Sequence, residues 1–169
     1  MKLTMEYVQT PQQIAAIAAL AEDIWLSHYQ QMISVEQIHY MLEKFQSIPA
    51  MTEQIEAQGY EYYEMLLEGE RIGYLSIKQE ENRLFLSKFY IRQQYRGHGY
   101  ASKAMAWLTR LCQERGLHAI WLTVNRHNRT AIAVYEQKGF RKLRTQVADI
   151  GGGFVMDDYI MELAVPAGS

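Results

Sequence analysis

The run from Tyr62 to Ile91, YYEMLLEGERIGYLSIKQEENRLFLSKFYI, constrains this chain more than any other stretch. Its apolar and aromatic residues fall in three blocks, separated by Glu68-Gly69-Glu70 and Glu80-Glu81-Asn82. Such blocks read as three strands joined by turns. The pattern then changes. A glycine-bearing polar loop leads into a segment where Ala101, Ala104, Met105, Leu108, Leu111 and Cys112 recur at helical spacing. HAIWLTVN follows as a short apolar strand. A strand, a helix and a strand across residues 84–125 predict a right-handed parallel crossover. The sheet must therefore be mixed.

The flanks fit the same plan. Leu3 to Val8 reads as a first strand. Thr10-Pro11-Gln12-Gln13 has the form of a helix start, with a threonine cap, proline at the first helical position and glutamine at the third. Ile14, Ile17, Ala18, Ala21, Ile24, Trp25 and His28 continue at helical spacing. Ser34 to Gln37 repeats the capping pattern ahead of Ile38, Met41, Leu42 and Phe45, and a shorter helix is expected to close at Gly59. Near the other end, a short helix from Arg129 to Lys138 closes at Gly139. RKLRTQVADI and FVMDDYIMEL then form a strand pair around Gly151-Gly152-Gly153. The predicted order is βααα–βββ–α–β–α–ββ, an α/β (α+β) chain with helices on the faces of its sheet.

Composition narrows the class. At 169 residues the chain fits a single domain, 1–169, and 49% hydrophobic residues support an ordinary core. A formal charge of −2 argues against a general nucleic-acid binder. No apolar run approaches the roughly 20 residues of a membrane span, and MKLTMEYVQT lacks the apolar centre of a secretory signal. The lone cysteine, Cys112, has no internal partner and lies on an apolar helical stripe, where it packs. These features predict a cytoplasmic protein, monomer or homodimer, with no nucleic-acid or membrane partner.

The loop between strand and helix, RGHGYAS, has the ingredients of an anion site: glycines that admit close approach and the open N–H groups of a helix start. It is not a dinucleotide fingerprint, because Ser102 stands at the last glycine position and HAIWLTVN ends without the acidic residue. Nor does it fit the ATPase phosphate loop. Taken alone, it reads more simply as a glycine turn between strand and helix.

A second segment, NRHNRTAIAVYEQKGF from Asn125 to Phe140, changes the reading. Arg96-Gly97-His98-Gly99-Tyr100-Ala101 resembles the R/Q-x-x-G-x-G/A signature of the GNAT superfamily of N-acetyltransferases. Asn128, Ala131, Tyr135 and Gly139-Phe140 are similar to that family's second segment, in the same order and spacing. The clear resemblance covers residues 70 to 163. It implies a mostly antiparallel sheet with a V-shaped slot for acetyl-CoA as cosubstrate, and no metal. It implies that main-chain N–H groups from Gly97 to Ser102, including His98, Tyr100 and Ala101, wrap the pyrophosphate. Phe89, Tyr90 and Ile91 would pair with the pantetheine arm through their main chain, as an added strand does. The strand ending at Asn125 would splay away. Asn128, a good helix cap in its own right, would also bond the cofactor arm, and Tyr135 would protonate the departing thiolate. A phenol with pKa near ~10 carries that proton at neutral pH.

The acceptor is less determined. An amine with pKa near ~10.4 is almost wholly protonated at pH 7, so direct attack on the thioester needs a proton acceptor. Many family members place a glutamate two residues before the position of Phe89; here it is Ser87. Glu64, His28, Asp157 and Asp158 are the other candidates. His28 lies on an apolar stripe, where packing is the simpler role, and Asp157 and Asp158 must face opposite sides of a strand. DIGGGFVMDDYIMEL resembles the polyamine-acetylating branch of the bacterial family. Protein N-termini, ribosomal protein ends, aminoglycosides and small amines stay open as acceptors. The alternative in a different class is a non-catalytic acetyl-CoA-binding sensor.

Overall fold

The computed structural model describes residues 2–168. Strand β1 (Leu3–Tyr7) leads to helices α1 (Pro11–Tyr29), α2 (Val35–Phe45) and α3 (Ile48–Ala57). Strands β2 (Tyr60–Leu67), β3 (Glu70–Glu80) and β4 (Arg83–Ile91) follow, then a 3-10 turn at Gln93–Tyr95 and helix α4 (Tyr100–Arg115). The chain continues through β5 (Ala119–Asn125), α5 (Arg129–Gln137), β6 (Arg141–Gly151) and β7 (Phe154–Ala164). Hydrogen bonding orders the strands β1-β2-β3-β4-β5-β7-β6. The β4–β5 pair is parallel; β1–β2, β2–β3, β5–β7 and β6–β7 are antiparallel. The expected mixed, mostly antiparallel fold is what forms.

Local chemistry sets the ends of these elements. Thr10 caps α1 by accepting from the Gln13 N–H at 3.1 Å, while Gln13 Oε1 accepts from the Thr10 N–H at 3.0 Å. The predicted capping box is therefore formed, and it satisfies donors a helix start leaves open. Ser34 and Ser47 cap α2 and α3 in the same way, each accepting from the N–H three residues on. The β2–β3 connection is a two-residue turn with Glu68 and Gly69 both at positive φ, as a tight hairpin twisted with its strands requires.

The chain separates into two compact units. One takes the described residues through Lys78 together with Lys88–Ala104; the other takes Gln79–Ser87 and residues 105–168. Strands β3 and β4 and helix α4 contribute residues to both.

In the first unit, the buried face of α1 is Ile14, Ile17, Leu20, Ala21, Ile24, Trp25 and Tyr29. This is the predicted stripe turned by a fraction of a residue, so Tyr29 is buried and His28 only half-buried. Beneath it lies a polar chain. Trp25 Nε1 donates to Tyr74 Oη at 3.0 Å, Tyr74 Oη donates to Gln46 Oε1 at 2.6 Å, and Gln46 Nε2 donates to Tyr62 Oη at 2.8 Å. Tyr62 Oη in turn donates to Gln54 Oε1 at 2.6 Å. A fully bonded chain of this kind fixes one packing of α1, α2 and α3 on β2 and β3, because an unpaired buried polar group is costly. Burial raises the pKa of both Tyr62 and Tyr74.

In the second unit, β5 is the central strand. It pairs with β4 at Arg83, Leu84 and Phe85, and with β7 along its length from Ala119 to Asn125. Cys112 is fully buried on α4, and desolvation pushes its thiol up to about 11, consistent with the packing role expected of it.

Candidate active site

The first unit carries the glycine loop. At the end of β4, Ile91 is buried and Phe89 packs with Met65, Leu67, Ile72 and Ala104. Tyr90 projects to the opposite face, as strand alternation requires. Its hydroxyl lies 2.7 Å from that of Tyr29, and its ring sits 5.5 Å from Trp25 and 6.0 Å from His28 between centroids. These anchored side chains hold the main chain from Phe89 to Ile91 from both sides.

The chain then turns through Gln93–Tyr95, a 3-10 element no spacing had indicated. The Arg92 N–H donates to Ile72 O at 2.8 Å, and Arg96 Nε folds back to Ile91 O at 2.9 Å. Gly97 and Gly99 both take left-handed backbone, at φ +80° and +84°, which disfavours any residue with a Cβ. Among the described residues, no heavy atom beyond each glycine's own chain neighbours lies within 4 Å of where its Cβ would be. The space over the loop is open.

The first α4 bond is Lys103 N–H to Gly99 O at 3.2 Å. The N–H groups of Tyr100 and Ala101, one turn earlier, have no carbonyl of the helix to reach. Tyr100 and Ala101 pack their side chains into the Phe89 cluster, which fixes the direction of those donors. The first turn carries no acidic residue, and Arg96, His98, Ser102 and Lys103 are exposed around it. Dipole, open donors and local charge all favour an anion there.

His28 is close enough to Arg96 to feel its charge. Burial, and secondarily that guanidinium, lower the imidazole to about 4, so it is neutral at pH 7. Glu64, another candidate base, is 3% exposed and ion-paired: its Oε2 accepts from Arg71 Nε at 2.6 Å, and Gln13 Nε2 lies 3.4 Å from Oε1. The sequence had shown the carboxylate but not the arginine that holds it.

The second unit carries the other motif. Asn128 is 6% exposed and caps α5, its Oδ1 accepting from the Ala131 N–H at 3.1 Å. The preceding turn is tied by Asn128 N–H to Asn125 O at 2.9 Å, and Asn125 Oδ1 accepts from the His127 N–H at 2.9 Å. Tyr135 is half-buried on α5, with its ring edge-on to Phe140 at 5.4 Å. The Phe140 N–H donates to Tyr135 O at 3.0 Å, so the turn at Gly139 holds the two together. Ser87 is half-buried on β4. Asp157 and Asp158 point opposite ways as expected: Asp157 pairs with Arg126 at 3.4 Å, while Asp158 is 5% exposed and stands opposite Asn125.

The chain thus combines one parallel strand pair in a mostly antiparallel sheet, a glycine loop feeding an anion-competent helix start, and an Asn-capped helix that carries Tyr135. The sequence profile of the acetyltransferase (GNAT) family matches residues 17–140, and the chain belongs to that family. It is 36% identical over 81 residues to YycN, an uncharacterized N-acetyltransferase of Bacillus subtilis strain 168, covering 46% of this chain and 52% of that protein. It is 30% identical over 95 residues to an uncharacterized N-acetyltransferase of Mycobacterium tuberculosis, covering 56% of this chain and 60% of that one. The chain thus spans between half and three fifths of the curated relatives it matches. The PaiA N-acetyltransferase of Thermoplasma acidophilum, solved in complex with coenzyme A, superposes with a TM-score of 0.79 at 19% identity, over 97% of this chain and 99% of that one. The ribosomal-protein-S18-alanine N-acetyltransferase of Escherichia coli gives 0.69 at 18% identity, over 99% and 97%. These structural likenesses establish the fold.

Proposed function

We propose that this chain works as one acetyl-CoA-dependent N-acetyltransferase domain, transferring an acetyl group by direct attack of an acceptor amine. The observation that carries this reading is the pair of left-handed glycines, Gly97 and Gly99, with open space above them, directly before an α4 start whose donors are pinned in place. Acetyl-CoA supplies the thioester carbonyl and a thiolate leaving group. The chain's own residues do the rest. Main-chain N–H groups from Gly97 to Ser102 hold the pyrophosphate, with the Arg96 charge beside them. The main chain of Phe89, Tyr90 and Ile91, past the β4 residues that pair with β5, holds the pantetheine arm. Asn128 and Ala131 meet that arm at the start of α5, and the Tyr135 hydroxyl gives its proton to the departing sulfur.

The amine proton leaves through water ordered at Ser87 or through a carboxylate. His28 is a weak acceptor because its pKa is already near 4. Glu64 is engaged by Arg71. That favours Asp158 or water, because Asp157 pairs with Arg126. The acceptor we favour is a small amine or polyamine, on the strength of these acidic side chains, and a protein N-terminus is the competing class.

The test is a panel of polyamines, aminoglycosides and N-terminal peptides with detection of free CoA thiol, run beside calorimetry with acetyl-CoA. Turnover of at least one amine is expected. Tight acetyl-CoA binding with no turnover on any class would instead make the chain a sensor.

A further inference from the structure

Strand β6 (Arg141–Gly151) ends the strand order and pairs on one side only, with β7. Every residue from Arg141 to Val147 is exposed. Val147 is 66% exposed and Val155, on the neighbouring strand, 52%. A long free edge is a template for another strand, and proteins guard such edges with Lys, Arg and bulges. Here the guard covers only half. Arg141, Lys142 and Arg144, with a register shift between Lys142 and Arg144, protect the first part. Thr145, Gln146, Val147 and Ala148 carry no charge at all.

The register with β7 sorts the faces. Lys142, Thr145, Val147 and Asp149 lie opposite Met161, Tyr159, Asp157 and Val155 and so share one face; Arg144, Gln146 and Ala148 share the other. Because Leu143 is the extra residue of the bulge, Lys142 and Asp149 stand equally far from Gln146 in side-chain steps. The segment is therefore complementary to itself when reversed.

We propose that the β6 edge is an interface between two copies of this chain, paired antiparallel about a two-fold axis at Gln146. A two-fold contact is isologous, so each match occurs twice. Gln146 then faces the same residue of the second copy, Val147 faces Thr145, Ala148 faces Arg144, and Asp149 faces Lys142. The unguarded halves cover one another, and each end closes on opposite charges on one face. A second copy fits better than an unrelated peptide because the matching charges belong to the segment itself. The inference does not rest on the acetyl-transfer reading, since β6 carries none of the residues assigned to it.

Sedimentation velocity of the full chain across a wide range of concentrations is the first test, with a reversible dimer expected. Val147→Lys, at an exposed position and with folding checked by circular dichroism, should weaken the dimer by at least about tenfold in Kd. Lys142→Glu should weaken it too, by setting like charges against Asp149. Gln146→Cys should form a disulfide dimer on mild oxidation, because directly opposed strand residues lie within disulfide reach. Cys112 is buried and does not compete. A wild type that stays monomeric at every concentration overturns the proposal. So does a dimer unmoved by Val147→Lys, or one that Gln146→Cys does not cross-link.

Discussion

A Cβ on Gly73 would stand 2.3 Å from the carbonyl oxygen of Tyr90 and 3.0 Å from the Cα of Ile91. The main chain of β4, at residues proposed for the pantetheine arm, thus leaves no room for a side chain at position 73 of β3. Gly73→Ala should force β4 outward. Overpacking of this kind costs about 1–3 kcal/mol. Denaturant unfolding should register that loss, and calorimetry should show weaker CoA binding in the folded fraction. Unchanged stability and affinity would mean that β4 gives way freely there.

Glu64 and Arg71 make the second prediction. The carboxylate is buried and the guanidinium a third exposed, so solvent screens part of the pair. Arg71→Ala should cost about 1–3 kcal/mol by leaving the carboxylate without its cation. If Glu64 has this structural role, Glu64→Gln should lower stability and leave the pH dependence of kcat/KM in place. A displaced acidic limb in Glu64→Gln would identify Glu64 as the base.

His28 makes stability depend on pH in a definite direction. Its folded pKa, about 4, lies below the unfolded value of 6.5. Between those values the unfolded chain binds more protons, so stability rises with pH through this window and is lost as pH falls from 6.5 toward 4. Denaturation midpoints measured from pH 4.5 to 7 should slope upward in the wild type. His28→Gln should flatten that slope, and an identical slope in the variant would place its origin elsewhere.

Tyr135→Phe removes only the hydroxyl and keeps the ring against Phe140. CoA affinity should be retained while single-turnover acetyl transfer slows by about 10²–10⁴-fold, the usual contribution of a positioned acid. Equal single-turnover rates would leave Tyr135 as a packing residue.

Much of this architecture could be read from the sequence because its signals are local. The Thr10–Gln13 box, the turn at Glu68-Gly69 and the triple-glycine hairpin each announce themselves within a few residues. The same holds for the two motifs, whose glycines and Asn cap act on their immediate neighbours. What escaped depends on distant partners. The chain from Trp25 through Tyr74 and Gln46 to Tyr62 joins α1, α2, β2 and β3, and no spacing rule connects residues so far apart. The Arg71–Glu64 pair spans a hairpin with a register shift at Met65/Leu66, which upsets simple alternation. His28 and Tyr29 sit side by side on the edge of the α1 stripe, where helical periodicity does not decide which is buried. The family profile also begins at residue 17, well before the motifs that suggested it. The acceptor base is the least legible of all, since it depends on the substrate as much as on the chain.

Main-chain amides of the glycine loop and of the β4 end are the groups proposed to hold acetyl-CoA. Hydrogen–deuterium exchange of the full chain with and without saturating CoA reads those amides directly. That binding mode requires slowed exchange at Gly97 to Ser102 and at Phe89 to Ile91, with Gly99→Val losing both the protection and most of the calorimetric affinity. CoA that binds by calorimetry while leaving exchange in both segments unchanged would contradict it.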